Sequence, residues 1–405
     1  MSIVVQKFGG SSVANIERLK NVARRVVQEK KAGNNVVVVV SALGDTTDEL
    51  VQKARAITPH PSEREMDVLL STGEQISIAL LAMAVQALGY DAVSFTGHQA
   101  GIVTDTSHTK AKIVDIKTDR MSQELERGKI VIVAGFQGST VDHDTTTLGR
   151  GGSDLTAIAL AAKLKAEKCE IFTDVEGIYT TNPRLVKEAR KLAVISYEEM
   201  LEMAASGAQV MQLRAVEYAR NYVVPIHVRS SFSDVPGTMI KGEETMLEKP
   251  IISGISYDTS QAKVTMLGVP DKPGIAAKVF SAIAQASVNI DTIIQNVSES
   301  GMTDISFTVE SDDLPAAQAV VDGLVPALGA KGSLYDPDIA TVSLVGAGMK
   351  THPGVAAEMF GVLSKHKINI EMISTSPIKI SCVIKKGQAE TAVKELHKHF
   401  KLDKG

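Results

Sequence analysis

Three observations predict an α/β protein, with a three-layer α/β/α domain followed by two smaller α+β units. Strands and helices alternate over the first 240 residues, a polar stretch ending in proline follows, and the rest of the chain repeats itself at a fixed offset. The length, 405 residues, is also too great for one typical domain. The boundaries read as 1–240 for the first domain, 241–250 for a linker, and 251–335 and 336–405 for the two small units.

Ile3–Val5 reads as a short strand and Phe8–Ser12 as a turn of small residues. Ile16, Leu19, Val22, Ala23, Val26 and Val27 then form one apolar helical stripe, with Gly33 just past its end. Val36–Val40 is apolar on both faces, as a strand covered by helices on both sides must be. A long helix around Glu63–Leu88, a strand at Ile130–Phe136, a helix from Asp154 to Ala166 and a strand at Cys169–Val175 continue the alternation. Ser196-Tyr-Glu-Glu199 has capping-box spacing and opens another helix. Val224–Val228 reads as the last strand. Lys241–Pro250 (KGEETMLEKP) is charged and polar, and reads as the linker.

The repeat is long and evenly registered. Pro273-Gly274-Ile-Ala-Ala-Lys-Val-Phe280 matches Pro353-Gly354-Val-Ala-Ala-Glu-Met-Phe360, eighty residues on, and Val288–Asp291 falls on Ile368–Glu371 at the same offset. Each copy reads as strand, Pro-Gly turn, helix and strand. Val264–Val269 and Val342–Val345 are the expected first strands, and Asn289 and Asn369 the expected starts of the second ones. Ile251–Tyr257 is placed to complete the sheet of the other copy, an exchange between the units.

Composition narrows the function. A net charge of −4, no Trp and few aromatics speak against a nucleic-acid surface. Cys169 and Cys382 are the only cysteines, so neither a disulfide framework nor a metal-spacing pattern is present and no metal ligand is assigned. The N-terminus lacks a signal-peptide pattern and the apolar runs are of strand length, so a cytoplasmic setting without membrane contact is expected.

No Walker A motif is present, so a nucleotide site must be built otherwise. Lys7-Phe-Gly9-Gly10-Ser11-Ser12 joins a strand to a helix: glycines admit a phosphate close to the backbone and the lysine supplies a compact positive charge. Leu148-Gly149-Arg150-Gly151-Gly152-Ser153-Asp154 is a second Gly-rich helix start. There Arg150 suits a carboxylate fork, and Asp154 suits either a helix N-cap or the orientation of lysines or a metal. Thr173-Asp174-Val-Glu-Gly177-Ile-Tyr179, continuing to Pro183-Arg184, opens a loop at a strand end, where α/β sheets bind ligands; a plain turn is the other reading. Ser41 through Thr47 follows the Val36–Val40 strand. Ser71-Thr72-Gly73-Glu74 reads as an interruption of a helix, with Glu74 either a substrate-ammonium ligand or a surface glutamate.

Together KFGGSS, SALGDTTD, STGE, FTGHQAGI, TTLGRGGSD, TDVEGIYTTNPR and VPIHVRSSF resemble the amino-acid kinase superfamily, in that family's order and over essentially the whole chain. The resemblance is to the aspartate kinases in particular, of the monofunctional, lysine- and threonine-sensitive actinobacterial type. It implies an amino-acid kinase domain followed by two ACT (βαββαβ) domains. It also implies transfer of the ATP γ-phosphoryl group, with Mg2+, to the β-carboxylate of L-aspartate. Lys7 and Asp154 would be catalytic. Lys7, Gly9, Gly10, Ser11, Thr173, Asp174, Tyr179 and Arg184 would hold ATP, and Ser41, Thr47, Glu74 and Arg150 would hold aspartate. A carboxylate is already a nucleophile, so positioning and charge neutralisation carry the reaction.

The resemblance further places threonine near Asp271, Gly274, Asn289 and Gln295, and lysine near His352, Gly354 and Glu371. It implies feedback inhibition, a homo-oligomer joined through the ACT domains, and in relatives a separately translated ACT-only subunit. Two positions depart from the family pattern. Gln209 stands where a lysine is usual, which predicts weaker turnover or ATP affinity. Pro377 stands where an acidic residue is frequent, and is expected to cost a strand one backbone donor and to weaken lysine sensitivity. A related kinase acting on glutamate or N-acetylglutamate, a non-catalytic amino-acid-binding regulator and a uridylate kinase are the competing readings. The ACT pair and TTLGRGGSD count against the first, and intact Lys7, Glu74, Arg150 and Asp154 against the second. The third leaves the tail unexplained.

Overall fold

The valines at 36–40 are all fully buried, which places their strand inside a sheet covered on both faces. The computed structural model describes residues 2–208, 210–242, 251–296 and 301–404. Its contacts divide the chain into two units: Met1–Ile178 with Lys191–Ala204 and Gln209–Leu247, and Tyr179–Arg190 with Ala205–Ala208 and Glu248–Gly405.

The first unit begins with β1 (Ile3–Phe8), α1 (Ile16–Lys31), β2 (Asn35–Val40), α2 (Thr46–Ile57) and α3 (Glu63–Gln86). Next come β3 (Ala92–Phe95), β4 (Ile102–Thr104), β5 (Ile113–Ile116), α4 (Asp119–Glu126) and β6 (Ile130–Ala134). A hairpin of β7 (Gln137–Ser139) and β8 (Thr145–Thr147) leads to α5 (Gly152–Lys163) and β9 (Lys168–Thr173). The unit closes with β10 (Val194–Ser196), α6 (Tyr197–Ala205), α7 (Leu213–Tyr222), β11 (Ile226–Ser230) and β12 (Thr238–Lys241).

Eight of these strands make one sheet, ordered β10-β12-β11-β9-β1-β2-β6-β3. Every neighbouring pair is parallel except β11 with β12. Val36, Val38, Val40, Ile130 and Ile132 share a core with Leu19, Val22 and Val26 of α1 and Ile78, Leu81 and Val85 of α3. The alternate residues, Val37, Val39, Val131 and Val133, are equally buried on the opposite face, as the two-residue period of a strand requires. There α5, buried almost throughout, packs on β1, β2 and β9. Ile16, placed on the apolar stripe by its spacing, is instead exposed. The capping box is formed: Ser196 Oγ accepts from Glu199 N, and the Glu199 carboxylate accepts from Ser196 N.

Three expectations need correction. Val224–Val228 is not the last strand of the domain, because β12 follows and turns back antiparallel on β11; Lys241, assigned to the linker, is its last residue. Residues 243–250 of that linker lie outside the described ones. Ser71–Glu74 does not interrupt a helix, since α3 runs unbroken through it. Gly73 is there because a Cβ would lie 2.8 Å from the Ala42 Cβ, so the glycine lets the helix touch the loop after β2.

The second unit runs β13 (Gly254–Asp258), β14 (Gln261–Pro270), α8 (Ile275–Gln285), β15 (Ile293–Gln295), β16 (Met302–Glu310), α9 (Leu314–Leu328) and β17 (Gly332–Asp336). It continues with β18 (Ile339–Val345), α10 (Val355–Lys365), β19 (Met372–Ser376), β20 (Lys379–Lys385) and α11 (Ala389–His399). One four-stranded sheet is ordered β15-β16-β14-β17 and the other β13-β18-β20-β19. β13, from ahead of the first repeat, thus completes the sheet of the second, pairing antiparallel with β18. Asn289 and Asn369 do not begin strands; they sit in loops, and β15 and β19 start at Ile293 and Met372. Pro377 lies in the two-residue turn between β19 and β20, where Ser376 pairs with Lys379, so it removes no ladder donor. That physical ground for weakened lysine sensitivity is gone.

Candidate active site

The C-terminal ends of β1 and β2 meet the N-terminus of α5, and most of the predicted kinase residues gather there. Lys7, near the end of β1, forms a contact ion pair with Asp154 in the first turn of α5, Nζ to Oδ1 2.6 Å, both side chains nearly buried. This direct contact holds the ammonium at the head of α5. Asp154 makes no N-cap hydrogen bond, because the cap position is Gly151. Asp154 thus contacts the lysine and makes no cap, which is compatible with the orienting role.

Gly9 follows, its N–H donating weakly to Phe172 O at 3.4 Å. Gly10 accepts from Gly44 N at 3.1 Å, and a Cβ on it would stand 3.0 Å from the carbonyls of Ala42 and Gly44. The two turns therefore press backbone to backbone, and only glycine fits between them. Ser11 is exposed beside them. Ser12, not singled out by the sequence, shares a buried hydroxyl contact of 2.6 Å with Ser231 at the end of β11. Ser231 N in turn donates to Thr173 O at 2.8 Å, so the strand ends carrying Ser12, Thr173 and Ser231 are tied together. Thr173 Oγ1 donates to Asp174. Arg18 lies over the exposed ring of Phe232, 5.0 Å from its centroid, another feature sequence reasoning did not flag.

On the acceptor side, Ser41 Oγ donates to Ser153 Oγ at 3.0 Å, linking the end of β2 to the start of α5. Thr47 is half-buried in the first turn of α2. Glu74 is 3% exposed. One of its carboxylate oxygens accepts from Ala42 N at 3.1 Å, and the other has no hydrogen-bond partner among the described residues. Burial pushes this carboxyl up to about 7, against the opposing effect of backbone donors. A buried carboxylate with one oxygen unspent is a socket for a cation. Arg150 is exposed, with no polar side-chain contact among the described residues; its carbonyl accepts from Gln212 Nε2.

Tyr179 and Arg184 follow Thr173 and Asp174 along the chain. They belong to Tyr179–Arg190, which folds with the second unit. There Val186 is buried in the core of the second repeat with Ile252, Val355 and Leu396, and Thr180 Oγ1 lies 3.0 Å from His397 Nε2. Burial lowers the pKa of that histidine.

The effector candidates also lie in the second unit. Asp271, Gly274, Asn289, Gln295, His352 and Gly354 are exposed, with α8 and α10 starting immediately after Gly274 and Gly354. His352 Nδ1 is 2.9 Å from Gly348 O. Glu371 is held by Lys263 and by Lys385, the latter at 3.2 Å, and Lys385 also pairs with Asp336 at 2.5 Å. A cavity of about 490 Å³ opens beside Asn369, between Phe360, Ser364 and Lys367. Gln209 lies outside the described residues.

Comparison with known proteins places this geometry. The amino acid kinase family signature matches residues 2–230, and ACT domain signatures match residues 263–324 and 342–400. The chain is 56% identical over 407 residues to an aspartokinase of Mycolicibacterium smegmatis, covering 99% of this chain and 97% of that one. Among solved structures, aspartokinase III of E. coli in complex with aspartate and ADP matches with a TM-score of 0.85 at 27% identity, covering 98% of this chain and 99% of that one. The same enzyme with lysine and aspartate matches with a TM-score of 0.75, at the same identity and coverage.

Proposed function

Since the chain belongs to the amino acid kinase family, and within it to the aspartokinases, we propose that L-aspartate is bound between Glu74 and Arg150 and phosphorylated on its β-carboxylate by MgATP at the Lys7–Asp154 pair. Glu74 carries the reading. Its buried, unpartnered oxygen suits the α-ammonium of a free amino acid, and the exposed fork of Arg150 suits the α-carboxylate. An N-acetylated acceptor would bring no cation to that socket, which counts against N-acetylglutamate.

The triphosphate lies along the Gly9–Ser11 turn and the N-terminus of α5, whose helix dipole attracts anions. Lys7 neutralises charge on the transferring group, and Asp154 fixes where the lysine points. The β-carboxylate oxygen attacks the γ-phosphorus in line, an O–P bond forms as the β–γ bridge breaks, and ADP leaves with the electron pair. Mg2+ arrives with the triphosphate. Thr173, Asp174, Tyr179 and Arg184 remain our candidates for the nucleotide's outer contacts.

We further propose that lysine, threonine or both inhibit through the ACT pair. The lysine complex of the E. coli relative and the cavity beside Asn369 support this. Ile293 and Ile373, eighty residues apart on edge strands β15 and β19, are exposed, which supports a second copy covering those edges. Two buried, unpaired cysteines suit a reducing cytoplasm.

Hydroxamate formation from purified protein with MgATP and hydroxylamine tests the reading, with aspartate, glutamate and N-acetylglutamate as parallel acceptors. Aspartyl hydroxamate formed selectively, and suppressed by lysine or threonine, is expected. Turnover of another acceptor, or amino-acid binding without turnover, overturns it.

A further inference from the structure

Asp67 is fully buried on α3, two helical turns before Glu74 and on the same face of the helix. Nothing in the reaction described above uses it, yet its carboxylate is saturated with donors. Thr147 Oγ1 donates to Oδ1 at 2.5 Å, Thr109 N lies 3.0 and 3.1 Å from the two oxygens, and His108 Nδ1 lies 2.7 Å from Oδ2. All three partners come from the small sheet β5-β4-β7-β8 and its loops.

Thr147 is the last residue of β8 and stands three residues before Arg150. Its carbonyl accepts from Ala111 N at 2.9 Å, so the strand end and the 108–111 loop form one body. Arg214 of α7 grips the same body from another side, donating to Leu148 O at 3.1 Å and Ala111 O at 2.9 Å. Arg150 itself has no polar side-chain contact among the described residues, so its place is set by the backbone that carries it.

We propose that Asp67 is a positioning residue for the amino-acid substrate: through Thr147 it fixes the Arg150 segment relative to Glu74, making α3 the ruler between the ammonium socket and the carboxylate fork. Glu74 holds the loop after β2 from one point of the helix, and Asp67 holds the end of β8 from a point seven residues earlier, about 10 Å along the axis. A rigid spacing of this kind holds the α-ammonium and α-carboxylate of the substrate at once, and so orients the β-carboxylate that hangs from the same carbon. The inference rests on the proposed roles of Glu74 and Arg150.

The test compares Thr147→Val, which removes only the hydroxyl, with Thr147→Ser, which keeps it, and with Arg150→Ala. The valine variant is expected to raise the aspartate KM about 10-fold while the ATP KM stays within about twofold, since a small misplacement of a binding group costs that much. The serine variant should return the aspartate KM to within about threefold of the parent, as rescue of a hydrogen bond requires. Should the valine protein not accumulate, Asp67→Asn is read by the same pair of KM values. An unchanged aspartate KM, or an ATP KM that rises in parallel, overturns the proposal. An Arg150→Ala protein with normal aspartate KM overturns the underlying reading instead; a raised value there, beside an unaffected Thr147→Val, sinks the ruler alone.

Discussion

The two units hold their functional candidates in different ways. At the strand ends of the first, Lys7, Ser41 and Glu74 are each bound by groups from distant parts of the chain: Asp154, Ser153 and Ala42. In the second, Asp271, Asn289, Gln295 and His352 stand exposed at the ends of small sheets. Phosphoryl transfer needs its charges in place before substrate arrives, because reorganising them during the reaction would raise the barrier. A sensing site has the opposite requirement, since an effector shifts an equilibrium only by contacts that differ between two states. The repeats also differ from each other. Glu371 of the second is neutralised by Lys263 and Lys385, whereas its counterpart Asp291 accepts from the neutral donors Gln261 and Thr292.

The largest effect should come from breaking the preorganised side of this contrast. Lys7→Met is expected to lower kcat about 10²- to 10³-fold, the usual loss when a charge aimed at the transition state is removed. Asp154→Asn should cost less, because the lysine keeps its charge and loses only its orientation. Calorimetric binding of lysine and threonine should be unchanged in both. If either variant also abolished effector binding, the two sites could not be treated as separately built.

Glu74 provides the next test, through pH. Its folded-state carboxyl titrates near 7 because burial disfavours the charge, so at pH 5.5 the free enzyme holds a proton that an arriving ammonium must displace. The kcat/KM for aspartate should therefore rise with pH, by up to about tenfold per unit, and level off above 7. Glu74→Gln should abolish this limb and lower the plateau about 10- to 100-fold. For stability the sign reverses. A raised carboxyl pKa makes the charged form a liability of the fold, growing as pH climbs from the ordinary glutamate range through 7. The glutamine variant should thus gain thermal stability over the parent at pH 8 and little at pH 4. A pH-independent kcat/KM would remove Glu74 from the ammonium role.

Asn289→Ala and Asn369→Ala examine the sensing side. Each is expected to raise the half-inhibiting effector concentration about 10-fold, the loss of one hydrogen bond to a charged ligand, with kcat preserved. Threonine inhibition should respond to the first and lysine inhibition to the second, where the cavity lies. Equal responses of both effectors to both changes would mean that the repeats do not act as distinct sites.

How much of this was legible follows the same divide. The alternation of strands and helices, the β2 valine run and the eighty-residue repeat are periodic features, and periodicity is what burial imposes on sequence. The glycine turns at Gly9 and Gly151 were legible because close backbone approach excludes other residues. β12 and the small β4-β5-β7-β8 sheet escaped, since strands of three or four residues carry too few positions to show a period. The unbroken course of α3 through Ser71–Glu74 escaped because a glycine among small polar residues reads as a break unless the touching loop is known. Asp67 left a usable signal: with Glu74 it puts two carboxylates on the buried stripe that also carries Leu70, Ile78 and Leu81. A charge on that stripe requires a partner, though the sequence does not say which. The binding of Tyr179–Arg190 into the second unit left none, because the segment's apolar residues, Leu185, Val186 and Ala189, are too few to announce a core.

The smallest effect is expected at Gln209, outside the described residues, where the family resemblance leads one to expect a lysine. A glutamine amide can donate to a phosphate oxygen but leaves its charge uncompensated, and charge-assisted hydrogen bonds are roughly twice as strong as neutral ones. With Lys7 already supplying one ammonium, a second should strengthen the site without creating it. Gln209→Lys is therefore expected to raise kcat/KM for ATP several-fold, with the gain shrinking as ionic strength rises, since salt screens the added attraction between charges. No change would show that Lys7 and the backbone donors at the two glycine turns suffice, and would extend the preorganised character of the first unit to the phosphate site as a whole.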